Sequence, residues 1–300
     1  MSATPEAVGR APLVLHGHHV RRLESVVDFV DAHLDGELSL ERMATIAAIS
    51  PFHFHRLFHQ WSGETLNEFV RRRRLDVAAG QLRHCPDEKI TTIALNCGFA
   101  SPEGFARAFR ERFGMTPSCW RGGGRAVWRV PANDAWQPAA PCVSVTREPV
   151  MDLLFMRGRG EFGRVAPQLW ERFLSAVRAL GLIEQPLLFM GLDDPDIVGP
   201  ARCRMDACVQ LPAGLGGALP CPPPLLHKRL PARWVASLEY EGPSEDIGQG
   251  WTAMLTHWLP ESGYKLSIGP FFERYDPAFG APGVRTVRCR LGMPVEPRAC

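Results

Sequence analysis

The sequence predicts an all-α domain of two helix-turn-helix units joined by a connector helix, followed by an α+β domain of two pseudo-symmetric strand-helix-strand repeats. Three observations predict it. First, Ser50-Pro51-Phe52-His53-Phe54-His55-Arg56-Leu57-Phe58 recurs 51 residues later as Ser101-Pro102-Glu103-Gly104-Phe105-Ala106-Arg107-Ala108-Phe109, with Gly63/Gly114 and Thr65/Thr116 at the same offset. Second, the texture changes at Gly122-Gly123-Gly124, followed by Pro131, Pro138 and Pro141 among small residues. Third, the remainder is duplicated at an offset of 82, through Pro149/Pro231, Gly160/Gly242, Gly181/Gly263, Asp194/Asp276, Pro195/Pro277 and Pro212/Pro294. Internal repeats of this length report one supersecondary unit used twice.

The elements follow in order. Residues 1–19 read as a flexible arm. Leu23, Val26, Val27, Val30 and Leu34 sit at helical spacing, and Asp35-Gly36 stops that helix. Ser39 caps a short helix with Leu40, Met43, Ala44 and Ala47 on one face. Ser50 caps the next, with Pro51 at the first helical position, where its missing N–H is harmless. Phe54, Leu57, Phe58 and Trp61 form its inner stripe, and Gly63 ends it. A longer connector spans about residues 65–84, broken by Cys85-Pro86-Asp87. The short-helix, turn, capped-helix pattern then repeats over residues 92–114. Residues 122–141 read as a linker, long enough for the flanking domains to move independently. In residues 142–297, strand-like runs at Leu153–Met156, Phe189–Leu192, Val235–Tyr240 and Phe271–Tyr275 flank two helices. Val165, Leu169, Phe173 and Val177 mark one helix; Ile247, Trp251, Leu255 and Trp258 mark the other.

Composition narrows the class. At 45% hydrophobic and 22% charged, the chain is an ordinary globular one, with no apolar run near the roughly 20 residues of a membrane span. Nine scattered cysteines without a C-x-x-C pair argue against a zinc site or a disulfide framework, and for a reducing cytoplasm. The basic excess is local: residues 38–125 hold 13 Lys/Arg against 8 Asp/Glu, whereas 126–300 hold 18 of each. That excess suits a phosphate-bearing partner without establishing one.

Two tandem helix-turn-helix units present two helices to adjacent stretches of a DNA groove. With the Phe54 stripe inward, helical geometry turns Phe52, His53, His55, Arg56 and His59 outward, and in the second copy Glu103, Ala106, Arg107 and Arg110. Arg56 and Arg107 are the strongest base-reading candidates, because arginine bonds guanine O6 and N7 together. Phe52 suits a thymine methyl, and Glu103 a cytosine amino group. His55 and His59 stand at a zinc-compatible i, i+4 spacing, but no third ligand accompanies them, so no metal is expected. Arg71-Arg72-Arg73-Arg74 surrounds the connector; some members must be solvated or paired, and one or two are candidates for phosphate.

Gly98-Phe99-Ala100-Ser101-Pro102, with Phe105, Arg107, Phe109, Phe113-Gly114, Thr116-Pro117 and Trp120-Arg121, resembles the signature of AraC/XylS-type transcription regulators. The likeness spans about residues 20–121. It implies a seven-helix domain whose two recognition helices enter successive major-groove segments roughly 34 Å apart. It also implies Phe52, His55 and Arg56 as one base-reading set and Glu103, Ala106 and Arg107 as the other.

Asp193-Asp194-Pro195, Tyr240-Glu241-Gly242-Pro243, Trp258-Leu259-Pro260-Glu261-Ser262-Gly263 and Phe272-Glu273-Arg274-Tyr275 resemble the gyrase-inhibitor-like effector-binding domain. Strand alternation independently puts Phe271, Glu273 and Tyr275 on one face, and a carboxylate on an aromatic face is costly unless paired. Such a site suits a cationic or amphipathic aromatic effector, with Tyr240, Trp170 and Trp234 as further walls. The competing reading is a salt bridge from Glu273 to Arg274 or Arg285. By the resemblance, Glu273 matches the pocket-facing glutamate. The expected partners are operator DNA, a small effector and RNA polymerase, with no cofactor and no membrane, as a monomer or a dimer. Two alternatives stand beside this reading: a hydrolase using Glu273 and a tyrosine, or a DNA-binding protein whose second domain only contacts partners.

Overall fold

The computed structural model describes residues 17–123, 142–215, 221–275 and 286–298. Most of the expected linker, the start of the arm, and Asp276, Pro277 and Arg285 lie outside the described residues. Seven helices come first among the described residues: α1 (Gly17–Ala32), α2 (Leu40–Ile46), α3 (Pro51–Ser62), α4 (Leu66–His84), α5 (Ile90–Asn96), α6 (Pro102–Phe113) and α7 (Pro117–Arg121). α1 begins at Gly17, inside the segment read as an arm.

The caps are largely those the sequence predicts. Ser39 Oγ accepts from the Arg42 amide, and Ser101 Oγ accepts from the Gly104 amide at 3.1 Å. Thr65 and Glu68 complete a reciprocal capping box at the start of α4. Ser50 makes no side-chain cap bond, so α3 starts on Pro51 alone. Gly63 and Gly114 end α3 and α6 in the left-handed region.

The two helix-turn-helix turns differ by one residue. Both close with equivalent backbone bonds, Ile49 N–H to Ala44 O and Phe99 N–H to Ala94 O. Ahead of the turn the copies are 50 residues apart and after it 51, which hides the turn from a single-offset match. Gly98 takes φ +79° there, and a Cβ would lie 2.2 Å from Leu34 O. Its counterpart Ala48 holds the same left-handed region at φ 51° with a Cβ present.

The second part is one antiparallel sheet. Its strands are β1 (Val143–Glu148), β2 (Met151–Arg159), β3 (Leu187–Gly191), β4 (Arg204–Gln210), β5 (Leu226–Leu230), β6 (Arg233–Pro243), β7 (Tyr264–Leu266), β8 (Phe271–Tyr275) and β9 (Thr286–Pro297), in the order β1-β6-β9-β8-β3-β4-β2-β5 with β7 on β9. Shifting β1–β4 by 82 residues lands on β5, β6, β8 and β9, and that exchange reverses the sheet order onto itself. The pseudo-twofold passes through the paired residues Met190 and Phe272. Each repeat lends its first strand to the other: β1 pairs β6, and β5 pairs β2.

A short α9 (Pro195–Val198) follows β3, while helix α8 (Phe162–Ala179) and the helical run α10 (Ile247–Thr252), a π-turn over Ala253–Trp258, and α11 (Leu259–Glu261) are the two repeat helices. They cover one face of the sheet through Leu169, Phe173, Val177, Met254 and Leu259. Gly250 lets α10 approach closely; a Cβ there would meet Leu291 at 2.5 Å.

Candidate DNA-reading surface and effector site

The first recognition surface is built on α3. Phe54, Leu57 and Phe58 are fully buried against α1, α2 and α4, which fixes the opposite face outward. Phe52 is 69% exposed, His55 and His59 are exposed, and Arg56 is half-buried with its guanidinium 5.8 Å from the Phe52 ring. His53 is half-buried against the ring of His19. On α6, Phe105 and Phe109 are buried, while Glu103, Arg107 and Arg110 are exposed and Ala106 is half-buried. Among the described residues, no acid pairs with Arg107 or Arg110. Among them, too, no group of three or more His, Cys, Asp or Glu is arranged to hold a metal ion.

The arginine run of α4 is otherwise engaged. Arg72 grips Glu64 through Nε at 3.1 Å, Arg73 bonds Asp31 at 2.8 Å and Asp193 at 2.6 Å, and Arg74 donates to Leu34 O and Gly36 O. Arg71 is exposed and pairs with the equally exposed Glu111 on α6. The structure thus gives every member of the run an intramolecular partner.

These bonds join the two parts of the chain, against the expectation of independent domains. Helix α1 and one flank of α4 rest on the sheet through two charge clusters. In one, Arg157 reaches Glu24, Asp28 and Asp206, and Lys228 also pairs with Asp206. In the other, Asp31, Arg73, Asp193 and Arg204 alternate. Burial pushes Asp193 up, but Arg73 and Arg204 more than offset it and hold the carboxyl well below its ordinary range. Arg83 with Asp194, Lys265 with Glu88, and Arg298 with Asp87 extend the junction.

The second site centres on β8. Glu273 and Tyr275 share a face, and the Tyr275 hydroxyl donates to Glu273 Oε2 at 2.6 Å. The Trp251 side chain of α10 also hydrogen-bonds Glu273. Trp251 stacks on Phe271 with centroids 5.4 Å apart, and Trp170 of α8 meets Tyr275 edge-on at 5.9 Å. Glu273 keeps partial exposure, yet desolvation raises its carboxyl to about 7 despite the two hydrogen bonds. No cation among the described residues pairs with it. Arg274 points to the other face, towards Glu148, Met151 and Gln210.

Tyr240 is buried beside Cys289 in the pairing of β6 with β9, and its hydroxyl donates to Pro243 O at 2.7 Å. The register sets it on the same face of the sheet as Glu273, two residues along β6 from the Glu273 row. Trp234 does not join the site: it is 41% exposed, four residues along β6 from the Glu273 row, or ~13 Å. Trp251 is a site residue that the sequence marked only as part of its helix's apolar stripe. Its place on the apolar stripe was legible, but the seating of α10 through Gly250 was not.

Residues 43–123 match the family described as a helix-turn-helix domain, and residues 143–296, half of the chain, match the GyrI-like small molecule binding domain. Regulatory protein SoxS of Salmonella typhimurium is 33% identical over 103 residues, 34% of this chain and 95% of that protein. The chain belongs to the AraC-type regulators and carries a GyrI-like domain. YbfP of Bacillus subtilis, an HTH-type transcriptional regulator, is 32% identical over 104 residues, 35% of each chain. An AraC-type DNA-binding-domain protein from Chromobacterium violaceum is 27% identical, covering 36% of this chain and 95% of its own, with a TM-score of 0.34. The DNA-binding domain of AdpA, solved with a target DNA, is 28% identical over 35% of this chain and 94% of that one, with a TM-score of 0.33. The two family matches and the likeness to SoxS make this AraC-type chain a DNA-binding transcription regulator with a small-molecule-binding domain. No helix among its described residues is long and apolar enough to cross a membrane.

Proposed function

We propose that α3 and α6 read two successive major-groove segments of one operator, and that the GyrI-like domain senses a cationic or amphipathic aromatic effector at Glu273. Arg56 and Arg107 are the guanine readers, with Phe52 and His55 beside the first and Glu103 beside the second; Ala106 contributes only van der Waals contact. His53, His59 and Arg110 flank the base-reading turns and serve the backbone. The regulator acts in the cytoplasm, and a monomer suffices for an asymmetric site because both recognition helices belong to one chain.

The observation that carries the DNA reading is the outward face of α6, where Arg107 and Arg110 have no acidic partner among the described residues, while every arginine of α4 has an intramolecular partner. For the effector, it is a desolvated carboxylate among aromatic rings with no cationic partner of its own. Selection of random duplexes by the full chain at ~0.15 M salt tests the first. An asymmetric two-segment motif is expected, degraded in one segment by Arg56→Ala and in the other by Arg107→Ala; no enriched motif defeats the reading. A quaternary aromatic cation and its neutral isostere test the second. Glu273→Gln is expected to remove the preference for the cation, and an unchanged preference defeats the assignment.

A further inference from the structure

We propose that Asp193, Arg73, Asp76 and Arg112 form a positioning relay through which the small-molecule-binding domain sets the angle of the second recognition helix. The relay starts two residues beyond β3, the strand that pairs Phe189 with Glu273. Asp193 is anchored to the sheet by three bonds from Arg204, through its amide at 2.9 Å, Nε at 2.8 Å and a terminal nitrogen at 2.9 Å. From there it accepts from Arg73 of α4 at 2.6 Å. Arg73 in turn lies 3.7 Å from Asp76, whose other oxygen accepts from Arg112 Nε at 3.0 Å. Arg112 stands in the last turn of α6. The Arg73, Asp76 and Asp193 side chains are 6%, 4% and 2% exposed. Removing any one leaves its buried neighbours short of an opposite charge, with only their outer partners Asp31, Arg204 or Arg72 to offset them, so the links hold their geometry together.

The packing around the relay is lopsided in the same sense. The core of the first helix-turn-helix unit holds no residue of the second domain. The core of the second unit is continuous with it: Ile197, Val198 and Cys203 pack with Phe105, Phe109 and Trp120. The tie between α3 and the sheet domain is the half-exposed Arg159, its guanidinium 4.9 Å from the Trp61 ring. A 12-residue helix gripped at its last turn carries any tilt to Glu103 and Arg107 in its first two turns. Asp76 also receives Arg72, which holds Glu64 in the turn after α3, so the relay sets α6 against a fixed first unit.

This inference rests on the two-segment reading of DNA. The test uses the full chain as wild type, Asp193→Asn, Arg112→Lys and the double variant. Binding is measured on duplexes with the first or the second segment scrambled, and folding is followed by melting. Asp193→Asn and Arg112→Lys are each expected to lower discrimination at the α6 segment by about tenfold and to leave the α3 segment untouched. The double variant is expected to lose no more than the larger single loss. Equal losses on both segments, additive losses, or full discrimination in a folded Asp193→Asn protein overturn the relay. Should Asp193→Asn unfold, the less buried Arg112→Lys decides alone: with melting unchanged, a loss confined to the α6 segment supports the relay and anything else overturns it. A wild-type protein that reads only one segment defeats the two-segment reading itself, which is a different result.

Discussion

Arg107 is exposed on α6 and forms no ion pair among the described residues, whereas Arg73 on α4 lies among Asp31, Asp76 and Asp193 with 6% of its side chain exposed. The two side chains are chemically the same and hold the same charge. Their surroundings make one available to an external anion and the other a structural tie. The basic excess of residues 38–125 is therefore a poor guide to where DNA lies. What identifies a DNA-facing arginine is the absence of an internal partner, and the chain supplies those partners from positions remote in sequence. Of the helical domain's arginines, Arg73 and Arg83 are neutralised by acids of the sheet domain, and Arg71, Arg72 and Arg112 by acids of the helical domain itself.

The largest effects should come from the junction. Asp206 is fully buried between Arg157 and Lys228, and burial raises its carboxyl while those two cations more than offset the rise and hold it low. Asp206→Ala leaves the buried Lys228 without its ion-pair partner and Arg157 with Glu24 and Asp28 alone, and is expected to destabilise the protein by about 3–5 kcal/mol in a denaturant titration. A loss below ~1 kcal/mol would mean that water reaches the cluster, and the contrast with exposed arginines would collapse. Arg107→Ala gives the opposite profile. It should remove about 1–3 kcal/mol of discrimination on the operator and leave the melting temperature unchanged.

Glu273 sharpens the contrast from the side of a lone buried acid. Its folded carboxyl is raised to about 7 because burial outweighs the bonds from Tyr275 and Trp251. Between the unfolded value near 4.5 and 7, the folded state holds the proton more tightly, so this group's contribution to stability falls as pH rises through that window. The slope is at most about 1.4 kcal/mol per pH unit. It should vanish in Glu273→Gln, leaving a flatter stability profile between pH 5 and 7. Affinity for a cationic aromatic should change the other way, rising with pH as the carboxyl ionises. An identical stability profile in the variant would show that Glu273 titrates normally and that the site is open to water.

How much of this was legible in the sequence depends on how far apart the interacting residues stand. Helix periodicity, Ser39, Ser101, Thr65 and Gly63 are local signals, and the helical domain follows from them. The 82-residue repeat foretold a pseudo-symmetric sheet. Yet β4 and β5 were not legible because Arg204, Asp206 and Lys228 break their apolar pattern, and those side chains are shielded through ion pairs within the sheet and with the helical domain. The exchange of β1 and β5 between repeats was equally hidden, since no local residue records which neighbour an edge strand will choose. Docking rests on pairs such as Arg157 with Glu24 and Arg204 with Asp31, which no spacing rule connects. Trp234 failed for a related reason: alternation gave its face correctly but not its distance along the strand.

The smallest expected effect lies within the arginine run itself. Arg71 and Arg73 are two residues apart on one helix, about 200° around its axis. Arg71 and its partner Glu111 keep 52% and 56% of their side-chain surface, so solvent screens their attraction. Arg71→Ala should change stability by about 0–1 kcal/mol, far below the loss expected from a buried pair. The same variant asks whether this arginine belongs to the junction class or to the DNA-facing class. If Glu111 keeps hold of Arg71 in the complex, the salt dependence of operator binding will match wild type. If Arg71 exchanges Glu111 for a phosphate, the slope of log affinity against log salt will shrink by about 1. That exchange would make Arg71 a third kind of arginine, internally paired until DNA arrives. The pair with Glu111 ties α4 to α6 within the helical domain, and the first outcome is the one expected.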